Sequence, residues 1–324
     1  MKISLKHSLV ILSLLGSSFA HAQKFPSNPI TMVVPFAAGG PTDTVSRVVA
    51  QAMATALKQP VKVENAGGAG GTTGAAKVAK AAPDGYTILM HHIGHATAPS
   101  LYRKLSYSPV DNFEPIGLVT EVPMTLVARS NFPAKNISEL LAYLKANKDK
   151  VSYAHAGLGS ASQLCGMLFM RATDTELTVL PYTGTGPAMN DLLGGQVDVM
   201  CDQITNTLGQ IKSGKIKAYG VTTKTKVAAL NTLPPLSEAG MPGFEITVWH
   251  GLYAPKGTPK AVIDTLAGAL QTALKDPAVK QHFAELGIEP VSDRRARPEA
   301  LRAHLRAELD RWGPIIIKAG AYAD

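Results

Sequence analysis

Residues 30–57 read ITMVVPFAAGGPTDTVSRVVAQAMATAL, from Ile30 to Leu57. The first part, Ile30–Phe36, is β-branched and apolar, which predicts a buried strand. Ala37-Ala38-Gly39-Gly40 is a turn of small residues. Pro41 then suits the first turn of a helix. From Thr42 to Leu57 the apolar side chains Val45, Val48, Val49, Ala52, Met53 and Ala56 fall at helical spacing. Strand, glycine turn and helix in immediate succession are the unit of an α/β fold.

The unit recurs. Val61–Glu64 predicts a short strand, followed by the glycine-rich turn Gly67–Gly74 and a helix over Thr73–Ala81. Tyr86–His91 predicts a third strand. A second series follows Arg129: a helix at Ile137–Ala146 with Asn136 and Glu139 spaced as a capping box, then Val151–His155 (strand), Gln163–Arg171 (helix), Thr178–Tyr182 (strand), a helix opening at Pro187, and strands at Val197–Cys201 and Lys217–Thr222. Phe244–Ala254 reads as a longer crossing strand. Two amphipathic helices close the chain, one on Ile263, Leu266, Leu270 and Leu274, the other on Leu301, Leu305, Leu309 and Trp312. There is no low-complexity linker and no solenoid repeat. The expectation is two α/β lobes, 24–124 with 246–324 and 125–245, joined by ordered crossing strands around a ligand cleft.

At 324 residues, 45% hydrophobic and 17% charged, the chain has core enough and is not disordered. Lys2 and Lys6, the apolar run Ser8–Phe19 and Ala20-His21-Ala22 read as a secretory signal peptide over 1–22, against the alternative of a buried N-terminal helix. The run is too short to span a membrane. Its removal lowers the formal net charge from +8 to +6. Many remaining positive charges sit at Arg294, Arg295, Arg297, Arg302, Arg306 and Arg311, a solvated helix face rather than a nucleic-acid groove. Export to the periplasm permits a disulfide. Cys165 and Cys201 are the only pair available, with two buried free thiols as the alternative.

Four strand-to-helix junctions are rich in small residues: 37–43, 67–74, 157–162 and 183–187. Each offers backbone N–H groups at a helix start, where the helix dipole favours an anion. Tight βα turns alone are the plainer explanation for any one of them. A dinucleotide site is excluded in its strict form, because Gly157-x-Gly159 is followed by Ser162 and Gly68-x-Gly70 by Thr73. No P-loop, nucleophile elbow, HExxH or CxxC is present. His91-His92-x-x-His95 has no acidic or cysteine partner nearby, so no metal is expected. Ser160 and Ser162 suit helix capping. Asp198 and Asp202, four apart on a strand, share a face and could accept hydrogen bonds from a ligand or a loop.

Together, Pro29–Asp43, Val63-Glu64-Asn65 with its glycine turn, Ala82–Thr87, Asp191–Asp198 and Glu238–Gly243 resemble the signatures of the tripartite tricarboxylate transporter receptors, the Bug receptors. The match runs in order from about residue 25 to residue 320. The resemblance implies a type II periplasmic-binding-protein fold, no enzymatic activity, no cofactor, and a monomer that hands a small organic anion to a membrane permease. A sensor feeding a membrane kinase and a secreted enzyme using His92, His155 or His250 with Asp198 are the rival readings. Carried over by position, the implied ligand-binding residues are Phe36, Ala37, Gly39, Gly40, Thr42 and Asp43 of the first loop. From the second lobe come Ala156, Gly157, Gly159, Ser160, Ala161, Ser162, Tyr182, Thr183, Gly184, Asp198, Asp202 and Gln203. His92 lies near the expected cleft, and Trp249 is placed on its hinge side, with a core position as the alternative. Cys165, Cys201, Leu208-Gly209-Gln210 and His91-His92 depart from the family's usual pattern. None of the loops contains Lys or Arg, and Arg47 lies one turn away, so the anion is expected to be held by neutral dipoles and water.

Overall fold

The computed structural model describes residues 25–147, 150–320 and 322. The signal-peptide reading lies outside the described residues. The opening stretch folds as its pattern requires: strand β1 (Ile30–Val34) leads into helix α1 (Pro41–Leu57). Val45, Val49, Met53 and Leu57 form the buried face of α1, and Asp43 sits in its first turn. β2 (Val61–Asn65), α2 (Thr72–Ala79) and β3 (Thr87–His92) complete the first series, with β1 paired in parallel to both β2 and β3.

Two elements then appear that periodicity did not announce. α3 (Gly94–Leu101) carries Pro99 inside it. β4 (Phe113–Arg129) is the longest strand of the molecule's described part. Its Pro115, Gly117 and Pro123 argue against a strand on sequence. The structure accommodates Pro115 and Gly117 with register shifts between Pro115 and Gly117 and between Leu118 and Thr120, while Pro123 sits opposite Thr247 at the end of the ladder.

In the second lobe, α4 (Ile137–Asn147) starts at the expected capping box: Asn136 Oδ1 accepts from Glu139 N at 2.9 Å, and Lys135 N donates to Glu139 Oε2 at 2.8 Å. β5 (Ser152–His155), α5 (Ala161–Thr173), β6 (Thr178–Pro181), α6 (Thr185–Leu193), β7 (Val199–Gln203), α7 (Ile204–Lys212) and β8 (Ile216–Val221) follow. The chain returns through β9 (Thr247–Pro255) and ends with α8 (Lys260–Lys275), α9 (Pro277–Glu285), β10 (Glu289–Pro290) and α10 (Pro298–Ala319).

The strands run in the order β2-β1-β3-β9-β4-β7-β5-β6, with β10 and β8 also on β4. β4 is the strand that joins the lobes. Phe113–Pro123 pairs with β9, and Met124–Arg129 pairs with β7 and β8. The stretch expected to cross, 244–254, instead pairs within the first lobe from Thr247 onward. Its start is tied to the second lobe by buried Thr222, whose Oγ1 donates to Ile246 O at 2.6 Å and accepts from Met124 N at 3.1 Å. One threonine thus fastens both crossing segments. Helices cover the sheet faces, and the main core runs continuously through both lobes.

Candidate functional site

The cleft between the lobes is nearly closed, a cavity of about 20 Å³. Phe36, Gly40, Pro41, Thr42 and His92 line it from the first lobe. Ala156, Ser160, Ala161, Ser162, Thr185, Asp202 and Gln203 line it from the second. These residues mark the starts of four helices, α1, α5, α6 and α7. No Lys or Arg is among them. Each helix start has backbone N–H groups without intrahelical partners and the positive end of a dipole.

Local chemistry fixes the walls. Ser160 caps α5, its Oγ accepting from Gln163 N at 3.2 Å. Ser162 Oγ accepts from Ala156 N at 2.9 Å and lies 3.1 Å from Ser160 Oγ. Thr42 Oγ1 lies 3.2 Å from His250 Nε2 on β9. Behind the first-lobe wall sits a buried cluster of His91, His92, His95 and His250. Burial lowers the His92 and His95 pKa values to about 3 and pushes those of His91 and His250 well below the usual range. These rings are neutral. His92 Nδ1 accepts from Gly94 N at 2.9 Å, and the ring stacks on Phe36 with centroids 4.5 Å apart. Among the described residues no group of His, Cys, Asp or Glu is arranged to hold a metal.

Asp202 is the one acid of the cleft lining. It is almost fully buried. Burial raises its pKa to about 6, against the opposing hydrogen bonds from Asn206, Gln203 N and Thr185. Gln203 Oε1, also buried, has no hydrogen-bond partner.

The structure separates the expected binding residues into two groups. Phe36, Gly40, Thr42, His92, Ala156, Ser160, Ala161, Ser162, Asp202 and Gln203 are brought together at the cleft. The others have different surroundings. Gly39 N donates to Asp43 Oδ2 at 3.0 Å, and Asp43 also binds Arg47 and Asn65. Burial opposes its ionisation, but the hydrogen bonds from Arg47, Gly39 N and Asn65 prevail and hold its pKa low. The Asp43 carboxylate is therefore occupied in shaping the loop. Asp198 is not among the cleft-lining residues and is bonded to Arg129 Nε at 2.7 Å and to Ser152 N and Oγ at 2.9 Å. Tyr182 OH donates to Asp191 at 2.6 Å. Trp249 is core: its indole N–H donates to buried Glu308 at 2.9 Å, as does that of Trp312 at 3.0 Å.

Ala37, Gly157, Gly159, Thr183 and Gly184 belong to the seam where the lobes touch. Ala37 N donates to Thr183 O at 3.2 Å. A Cβ on Gly184 would lie 3.0 Å from Ala37 Cβ, and one on Gly157 would lie 3.1 Å from Gly70 N. Tyr102 OH donates to Leu158 O at 2.7 Å across the same seam. Gly67 and Gly70 of junction 67–74 are thus used for close approach to the second-lobe backbone at Thr183 and Leu158, not for the cleft lining. The fourth helix start at the cleft is instead that of α7. Ile204, Leu208 and Ile211 carry its signal, at spacing i, i+4, i+7. Thr185 and Pro41 also line the cleft without having been singled out as binding residues. Cys165 and Cys201 are joined by a disulfide linking α5 to β7, with their Cα atoms 6.1 Å apart.

Two α/β lobes joined by a shared strand, with a donor-rich cleft between them, are the architecture of a periplasmic binding protein. A solved structure titled periplasmic binding protein BugD superposes with a TM-score of 0.90 at 53% identity, covering 92% of this chain and 99% of that one. MatC from Rhodopseudomonas palustris with bound malate gives a TM-score of 0.88 at 41% identity over 90% of this chain and 100% of that one. A protein from the TAR-I ttuE-ttuC' intergenic region of Agrobacterium vitis is 48% identical, covering 98% of this chain and 94% of its own. Residues 45–321 match the sequence pattern of the tripartite tricarboxylate transporter family receptor. The chain belongs to that family. Among the described residues no helix is long and apolar enough to cross a membrane.

Proposed function

We propose that this chain is an exported, periplasmic receptor that captures a small carboxylate between its lobes and delivers it, as a monomer without cofactor or catalysis, to the permease of a tripartite transporter. The observation that carries this reading is the meeting of four helix starts on one cleft without a single Lys or Arg. Backbone N–H groups and hydroxyls bind an anion there without the strong desolvation of a salt bridge. Such modest bonds suit a carrier that must also release its cargo. MatC, of the same architecture, holds malate. The seam contacts give the closed arrangement its stability, and a ligand bridging both lobes shifts the population toward it.

The test is a thermal-shift and calorimetric screen of the mature protein against dicarboxylates, tricarboxylates, amino acids and aromatic acids. A true ligand at about 100 times its Kd stabilises by about 2.7 kcal/mol. The absence of stabilisation by every acid, together with turnover of any of them, overturns the reading. Loss of uptake in a deletion strain, restored by this chain, tests delivery to the permease.

A further inference from the structure

A second polar cavity lies at the far end of the first lobe. β9 runs alongside β4 from Thr247, opposite Pro123 at the crossing, to Pro255, opposite Phe113. The cavity, about 150 Å³, lies at the Phe113 end, roughly 30 Å from the crossing at a strand's rise per residue. It shares no residue with the cleft lining. Its charged residues are Lys256, Arg302 and Arg306 against Asp111 and Glu114. Glu114 is shared by two cations, Lys256 Nζ at 2.9 Å and Arg302 Nη2 at 3.5 Å. Arg306 has no ion pair or hydrogen bond among the described residues. The surplus positive charge is therefore an exposed guanidinium, whose fork of N–H groups matches an oxyanion.

A second observation comes from the interior. Tyr253, on β9, lines the same cavity and is 0% exposed. Its hydroxyl is buried without a hydrogen-bond partner. Such a group costs stability until a partner arrives. Phe113 and Leu305 add apolar wall, and a low local dielectric strengthens any polar contact made beside it. Asp111 Oδ2 accepts from Ser108 Oγ at 2.8 Å, and its other oxygen has no donor among the described residues.

The cavity thus combines cationic and hydroxyl donors with an unfilled carboxylate acceptor. An oxyanion uses the donors. Only an oxyanion that still carries a proton can also use the acceptor, because a carboxylate cannot donate. Near neutral pH inorganic phosphate always carries at least one proton and sulfate carries none. We propose that this cavity is an inorganic-phosphate site separate from the cleft, with Arg306, Lys256 and the Tyr253 hydroxyl donating to the anion and Asp111 accepting from its P–OH.

The experiment is calorimetric titration of the mature protein at pH 7 with inorganic phosphate, sulfate and methyl phosphate. Methyl phosphate has its second pKa at about 6 and is mostly without a proton there. Phosphate is expected to bind about tenfold or more tighter than either of the others, which set a lone pair against the Asp111 carboxylate. Arg306→Gln changes an exposed residue and leaves the core intact. It should weaken phosphate about fivefold or more through loss of a charge-assisted contact. Tyr253→Phe keeps the ring and removes an orphaned donor. It should weaken phosphate by about threefold or more without lowering the urea midpoint of the phosphate-free protein. No binding of phosphate by the wild type overturns the proposal. Sulfate or methyl phosphate binding as tightly as phosphate overturns it too. So does an unchanged phosphate affinity in either variant, which would place the anion elsewhere on the molecule. The receptor reading stands or falls separately, on the screen of organic acids.

Discussion

Gly70 and Leu158 meet across the cleft backbone to backbone: a methyl group on Gly70 would stand 1.7 Å from the Leu158 carbonyl oxygen. Gly70 has φ +60°, a left-handed conformation. Gly70→Ala is therefore expected to obstruct closure. Left-handed strain alone costs about 1 kcal/mol. Gly195→Ala is the control, since Gly195 has φ +75° but nothing within 4 Å of the added Cβ. Titration of both variants with an acid that binds the wild type should show affinity lost by about tenfold or more in Gly70→Ala only. Equal affinities in the two variants would mean that the seam plays no part in closure.

The disulfide links residues 36 apart in sequence. A loop of that size constrains the unfolded chain by about 3–4 kcal/mol on the chain-entropy estimate. The Cys165→Ala/Cys201→Ala protein should lose a comparable amount in urea unfolding. A thiol count on the denatured protein, isolated without reductant, should find none free. Two free thiols would refute the bridge.

Glu308 gathers the two tryptophan N–H groups of the first lobe. Glu308→Ala leaves two buried indole donors unsatisfied, each costing about 1–3 kcal/mol. Glu308→Gln keeps an acceptor and should cost less. Because Trp249 is core rather than cleft wall, ligand affinity at a temperature where the variants are folded should stay near the wild-type value. A selective loss of affinity in Glu308→Gln would return Trp249 to the binding site.

Stability should fall with acid from neutrality downward. His91, His92, His95 and His250 are neutral when folded, with lowered pKa values, while an unfolded histidine titrates near 6.5. Between about pH 6.5 and 3 the unfolded state binds more protons, so stability drops as pH falls. Each excess proton contributes about 1.4 kcal/mol per pH unit. Asp202, with its raised pKa, acts in the opposite direction between about pH 4 and 6, but as one group against four. Urea midpoints at pH 7.5, 6, 5 and 4 should decline progressively. A flat profile over that range would contradict the buried neutral histidines.

The helical face of α1 and the β-branched run before it were plain in the sequence, because a 3.6-residue period and a buried strand each leave a local signature. The Asn136–Glu139 cap was readable for the same reason. β4 was hidden, since Pro115, Gly117 and Pro123 contradict a strand locally; bulges against β9 accommodate the first two, and Pro123 lies at the end of that ladder. α7 carries a local signal in Ile204, Leu208 and Ile211, but nothing local shows that its start brings Asp202 and Gln203 to the cleft.

Sequence by itself determined the α/β units, the lobe-forming alternation and the lack of cations in the glycine-rich loops. Those are properties of neighbouring residues along the chain. Tertiary structure decided which of two acids four residues apart meets the cleft. Asp198 is consumed by Arg129 and Ser152, whereas Asp202 finds only neutral donors. It likewise decided that Gly67 and Gly70 serve the seam and that Trp249 belongs to the core. Hydrogen-bond partners and backbone approaches between residues distant in sequence leave no trace in local spacing. They exist only once β4 has carried the chain from one lobe to the other.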